Sequence, residues 1–360
     1  MAIRFKSIDR RMNTIEIAGR KIGAGEPVYI IAELSANHHQ DFEQAVKLLH
    51  AAKASGADAV KVQTYTADTM TLNINSDEFF IADKNSLWQG QSLHQLYQAA
   101  MTPWEWHKEI FERAKSLGMV AFSSPFDTNS VDFLEQLSVP CYKIASFENI
   151  DHALLEKVAK TGKPIIMSTG MASQTELAES VEVLRDFGCK ELVLLKCTSD
   201  YPARPIDANL RTLPHLKELF NCPVGLSDHT LGMGVALASV AMGASVIEKH
   251  FVLDRNEGGV DAQFSLQPDE LALLVKESHN AWLALGKVSY GATEKEQGSR
   301  QHRRSLYICE DMLQGDVFNS KNLRSIRPGL GLPPKNLSFV IGRTINKAVK
   351  KGTALAWTHF

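Results

Sequence analysis

His229 and His250 close two apolar runs, VGLSDHT and VIEKHFV, that follow one another along the chain. Imidazoles on neighbouring strands can share one ion, and nitrogen ligands with open positions suit a borderline divalent metal such as Mn2+ or Zn2+. Either histidine alone reads more simply as a hydrogen-bonded polar residue. The pair, with Glu248 and Asp228 beside it to orient the rings, favours a metal. Lys61 in AVKVQTY and Lys143 in CYKIASF make a second pattern, each a cation among hydroxyls or amides at the end of an apolar run. With Ser146, and with Ser168 and Thr169 of PIIMSTG, they form a set able to clamp phosphate and carboxylate together. A Schiff-base lysine is the competing chemistry and requires a desolvated amine. Two cations among many oxyanion donors favour the clamp, while a core carboxylate paired to either lysine stays open. Glu33 and Glu148 remain for sugar hydroxyls or proton transfer, or as ion-pair partners of those lysines.

Such residues meet only if the runs that carry them surround a common centre. Apolar runs read as strands, and stretches of 3.6-residue period as helices, give eight strand-then-helix units. The strands are 28–34, 59–65, 120–126, 141–147, 164–170, 192–199, 224–230 and 246–252, and the last helix is 266–286. Helical stretches such as DFEQAVKLLHAAKASG end in a glycine suited to a left-handed C-cap. This count predicts an α/β fold, a closed (β/α)8 TIM barrel, whose active face lies at the C-terminal strand ends. An open doubly wound sheet uses fewer strands and a Gly-rich first loop, whereas this first strand runs into ELSANHH. The strand ends then supply Glu33, Asn37, His38, Lys61, Gln63, Thr64, Ser123, Ser124, Lys143, Ser146, Glu148, Ser168, Ser199, Tyr201 and Ser227 beside the two histidines. Residues 66–100 form a long connection after the second strand, a lid or a plain insertion. The expected division is a catalytic domain with a short N-terminal lead over 1–286, a linker over 287–300 and a small β-rich domain over 301–360. In the last, EDMLQGD and KAVKKGT suggest a pseudo-symmetric pair of β units.

The balance of 39 Lys plus Arg against 41 Asp plus Glu gives no field for a polyanion, so nucleic acid is not expected as a partner. Five cysteines with no CxxC spacing fit a reducing cytoplasm and argue against a thiolate zinc site. The N-terminus lacks the apolar core of a signal peptide, and no run approaches the roughly 18 apolar residues of a membrane helix, so no membrane association is expected.

With IAELSANHH, VKVQTY, SSPFD, YKIASFE, STGMAS, CTSDYPA, VGLSDHT and EKHFVLD in this order, the chain resembles the sialic acid synthase family over nearly its whole length. The resemblance implies a barrel that condenses phosphoenolpyruvate with an N-acetylated aminosugar, followed by an antifreeze-like (SAF) domain. It also implies a domain-swapped homodimer and a divalent metal, typically Mn2+, with Mg2+ or Co2+ as alternatives. Carried over by motif, Lys61, Lys143, Ser124, Ser146, Ser168 and Ser199 would hold phosphoenolpyruvate, and His229 and His250 the metal. Glu33, Gln63, Glu148, Tyr201, Ser227 and Asp261 would face substrate or the reacting centre, and Arg327 of SIRPG would reach the partner chain's site. Ser199 departs from the Asn common in the sialic acid branch, and a solvated loop carboxylate is the alternative for Asp261. SANH, ASFE and TPWEWH resemble the pseudaminic acid branch, which implies 2,4-diacetamido-2,4,6-trideoxy-L-altrose as the sugar. Phe147, where the sialic acid branch has glycine, implies a more apolar sugar. Sialic or legionaminic acid synthesis is the alternative, and non-catalytic sugar binding a more distant one.

Overall fold

The computed structural model describes residues 14–74, 76–82 and 87–360; residues 1–13 of the lead, and 75 and 83–86 of the long connection, lie outside these. The chain opens with a hairpin of β1 (Thr14–Ile17) and β2 (Arg20–Gly23), turned by Ala18 and Gly19 at φ 50° and 84°. This hairpin was missed in the lead, although TIEI alternates and positive φ at both central positions is what a two-residue hairpin turn demands. Its Ile15, Ile17 and Ile22 pack with Tyr29, Phe122, Cys141 and Ile166, so it plugs one end of the barrel.

The barrel strands are β3 (Tyr29–Glu33), β4 (Ala59–Thr64), β5 (Val120–Pro125), β6 (Tyr142–Ile144), β7 (Ile165–Ser168), β8 (Leu192–Cys197), β9 (Val224–Asp228) and β10 (Val246–His250). All eight pair in parallel and close in the order β10-β3-β4-β5-β6-β7-β8-β9. Each lies where the apolar runs predicted it, with trimmed ends. β6 is the most shortened, because the chain turns at Ala145 (Glu148 N to Ala145 O, 3.2 Å) and lifts Ser146 to Glu148 off the wall. Between strands run α1 (Phe42–Ala54), α2 (Ala67–Met70), α3 (Leu93–Ala100), α4 (Trp104–Ser116), α5 (Thr128–Gln136), α6 (His152–Ala159), α7 (Gln174–Asp186), α8 (Thr212–Phe220) and α9 (Gly234–Ala241), with α10 (Pro268–Leu285) last. Their apolar faces and the outward strand residues form two large clusters outside the wall. Among the described residues no helix is long and apolar enough to cross a membrane.

The first compact unit ends at Gly286 and the second runs from Lys287 to Phe360. The second holds β11 (Ser305–Ile308) and β12 (Leu323–Ile326), antiparallel, and α11 (Leu337–Val340), around Leu306, Phe318, Leu323, Val340 and Leu355. Its two glycine turns answer one another: Gly315 N donates to Ile345 O and Gly352 N to Ile308 O, both at 2.8 Å. Met312 and Val349 exchange backbone bonds of 3.0 and 2.9 Å between them. The pairing has the pseudo-symmetry the EDMLQGD and KAVKKGT motifs suggested.

Candidate active site

Strand register assembles the centre. Glu33 lies opposite Lys61 of β4 on one side and His250 of β10 on the other, and Glu248 lies opposite Ser227 of β9. Glu33 pairs with the Lys61 ammonium through Oε2 and accepts from Ser35 N through Oε1 at 2.7 Å. Glu248 does not orient the imidazoles as expected. Its Oε1 lies 3.6 Å from Lys61 Nζ and 3.7 Å from Lys143 Nζ and accepts from Ser227 Oγ at 3.3 Å, so one carboxylate serves two buried lysines. The ion-pair alternative raised for Glu33 is thus realised, whereas Glu148 makes no ion pair within 4.0 Å among the described residues. Burial opposes charge on Lys61, but Glu248 and Glu33 outweigh it and raise its pKa; for Lys143 burial, aided by Lys61, outweighs Glu248 and lowers it. Burial would raise Glu248, yet Lys143 and Lys61 hold it below the usual carboxylate range. Lys61 therefore has its counter-charges in the wall, and Lys143 is the ammonium that a further anion would stabilise.

Hydroxyls surround this pair. Lys61 Nζ donates to Ser124 Oγ at 3.4 Å and Lys143 Nζ to Ser168 Oγ at 2.6 Å. Ser146 Oγ accepts from Gly170 N at 3.2 Å, and a Cβ on Gly170 would come within 2.6 Å of that oxygen and collide with Ser199 Oγ as well. Gly170 is thus a site residue that the sequence reading quoted in STG without singling it out. Asn149, also not singled out, ties the β7 exit to the loop after β6 through Ser168 O at 3.1 Å and Gly170 O at 3.4 Å.

The two imidazoles stand beside the lysines with ring centroids 5.4 Å apart. His229 Nδ1 donates to Thr198 O at 2.9 Å, which leaves the Nε2 lone pair free to bind an ion. His250 Nδ1 lies 3.1 Å from Asp261 Oδ2 but off the line of a hydrogen bond. Asp261 is buried against His250 and is no solvated loop carboxylate. Phe264, which the sequence reading missed, packs 5.0 Å from His250, 6.0 Å from His229 and 5.4 Å from Tyr201, and Tyr201 lies 4.4 Å from His229. Among the described residues no group of three or more His, Cys, Asp or Glu is arranged to hold a metal. Two nitrogen donors, with Glu148 Oε2, Glu248 Oε2 and His250 Nδ1 buried and without hydrogen-bond partners among the described residues, do fit an ion completed by substrate oxygen and water. Asp228 pairs with Lys249 Nζ at 3.0 Å, and its charge also acts on His229.

A model of the NeuB family matches residues 48–290, and one of the SAF domain matches 303–360. The chain belongs to the NeuB family. It is 45% identical to the pseudaminic acid synthase of Campylobacter jejuni over 92% of this chain and 96% of that one. To that of Helicobacter pylori it is 42% identical over 92% and 97%. The crystal structure of an N-acetylneuraminic acid synthetase from Leptospira borgpetersenii, bound to citrate, superposes with a TM-score of 0.71 at 31% identity, covering 79% of this chain and 94% of that one.

Around this NeuB centre the loop after β3 clamps the loop after β10. Asn37 Nδ2 donates to Phe251 O at 2.9 Å and Ser265 Oγ at 2.8 Å, and Val260 N donates to Ala36 O at 3.2 Å. Trp88 Nε1, from the long connection, donates to Val260 O at 3.0 Å. Three residues of the strand-end shortlist face away from the centre. Thr64 and Ser123 bond each other at 2.6 Å, Thr64 bonds His107 Nε2 at 2.8 Å, and His38 Nε2 bonds Thr102 at 3.2 Å. Alternation explains the first two, since Lys61 and Ser124 take the inward positions. Gln63 is half-buried at the mouth, and Arg327 is exposed in the second unit, just past β12.

Proposed function

We propose that this NeuB-family chain condenses phosphoenolpyruvate with 2,4-diacetamido-2,4,6-trideoxy-L-altrose to give pseudaminic acid and phosphate. The observation that carries the reading is the convergence of Lys143, Ser146, Ser168, Ser199 and Gly170 on one cradle beside the His229 and His250 imidazoles. The 45% identity to a pseudaminic acid synthase favours that sugar over those of the sialic and legionaminic acid synthases.

Lys143 and Lys61, with Ser124, Ser146, Ser168, Ser199 and the Gly170 N–H, hold the phosphate and carboxylate of phosphoenolpyruvate and balance its charge throughout. Glu148, Gln63, Tyr201, Ser227 and Asp261 orient the open-chain sugar so that its aldehyde carbon meets C3 of phosphoenolpyruvate and the carbon–carbon bond forms. Water adds to C2 with Glu33 placed to take its proton, and the C–O bond to phosphate then breaks. A divalent ion on His229 and His250, Mn2+ by preference over Mg2+ or Co2+, would supply Lewis-acid polarisation of the aldehyde oxygen. Arg327 would complete the sugar site of a second chain in a domain-swapped homodimer. The test is phosphate release from phosphoenolpyruvate with this altrose, N-acetylmannosamine and the legionaminic acid precursor, with and without chelator. Release with the altrose that chelator stops supports the reading; release only with another hexose reassigns the sugar, and release with none sinks it.

A further inference from the structure

Asp228 and Lys249 face one another in register on β9 and β10, each immediately before one of the two histidines. Glu248 and His250 alternate with Lys249 and face the centre, so Lys249 points outward into the layer beneath the helices. Its side chain is wholly buried, and Nζ donates to Asp228 Oδ2 at 3.0 Å and to Thr230 O at 2.6 Å. Asp228 Oδ1 accepts from Thr230 N at 3.0 Å and Thr230 Oγ1 at 2.8 Å. Both residues flanking His229 are thereby knotted to the residue preceding His250. The β9–β10 ladder stops at Asp228, so strand pairing does not itself carry His229. The hydrogen bonds of His229 itself run to the β8 side, through Thr198 O and through Ala203 N at 3.0 Å. Apolar side chains would fill this layer without the cost of desolvating two charges, so cheap packing does not explain the pair.

We propose that the Asp228–Lys249 pair is a positioning device that sets His229 relative to His250 and so tunes the affinity of the two imidazoles for a divalent ion. This rests on the reading that those histidines bind the metal. The test titrates Mn2+ by electron paramagnetic resonance into the full chain as wild type, His229→Ala, Asp228→Leu/Lys249→Met and Thr230→Val, with thermal unfolding in parallel. The expected result is that the apolar double variant unfolds close to the wild-type temperature yet binds Mn2+ about 10–100-fold more weakly. Thr230→Val, which removes one bond of the knot, should stay folded and bind a few-fold more weakly. Wild-type affinity in the double variant, beside an His229→Ala chain that does not bind, overturns the positioning role alone. If the double variant fails to fold, unchanged affinity in Thr230→Val overturns it instead. Equal uptake by wild type and His229→Ala overturns the metal reading on which the proposal stands.

Discussion

Glu148 shows how far a side chain's identity is from its state. Burial pushes its carboxyl up to about 7 from the usual 4.5, against the opposing pull of Lys143, and its Oε2 has no hydrogen-bond partner among the described residues. Between pH 4.5 and about 7 the folded chain holds a proton that the unfolded chain has released. The contribution to stability is therefore fully present below the unfolded value and is lost as pH rises through the folded one. Glu148→Gln, which cannot ionise, should gain stability relative to wild type as pH rises across that window and differ little below it. Denaturant unfolding of both proteins at several pH values checks this, and a constant difference would refute it. Glu148 was legible as an inward carboxylate from its place after KIAS. Its raised pKa was not, because the desolvation that causes it comes from strands and loops distant in the chain, even though Lys143 sits on the strand just before it. The same holds for Glu248, whose neighbours in sequence suggested the histidines and whose neighbours in space are two lysines.

At the scale of elements, the loops after β3 and β10 decide where Asp261 and Phe264 sit. Gly259 has φ +126°, and a Cβ there would stand 2.9 Å from Asn37 Oδ1. Its neighbour Gly258, at φ +79°, would meet nothing within 4 Å. Alanine at either position carries backbone strain of about 1–3 kcal/mol, but only at 259 does it also push on the Asn37 clamp. Gly259→Ala should thus lower kcat/KM by at least about tenfold, since small displacements of positioning groups are felt strongly in the rate. Gly258→Ala should stay near wild type. Steady-state assays of the two variants separate clamp from strain, and equal losses would count against the clamp. TPWEWH belongs at this scale too. Its Thr102 holds His38, Trp104 Nε1 donates to Tyr65 O at 3.1 Å and His107 holds Thr64, so the motif fastens the exits of β3 and β4 from outside and does not face the centre. Periodicity made the eight strands readable, and apart from the β10–β3 closure each strand's neighbours in the ladder are also its neighbours in order. The β6 turn was not readable, since KIASFE carries neither glycine nor proline where the backbone leaves the wall.

The whole molecule joins two compact units, and the proposed swap of the second between chains has a direct test. A chain with His229→Ala keeps an intact Arg327, and one with Arg327→Ala keeps an intact barrel. Each alone should be strongly impaired, and mixing equal amounts after subunit exchange should restore roughly a quarter of wild-type sites, because half the dimers are hybrids with one complete site. No recovery on mixing would leave Arg327 working within its own chain or not at all. By itself the sequence determined the barrel, the small β-rich unit and the inward lysines, hydroxyls and histidines, because strand alternation and strand order are local patterns that survive without coordinates. The tertiary structure decided which charge answers which. Glu248 shared by Lys61 and Lys143, Asp228 drawn outward to Lys249, and Asn37 holding the last loop all depend on register between strands, and register is fixed only when the barrel closes.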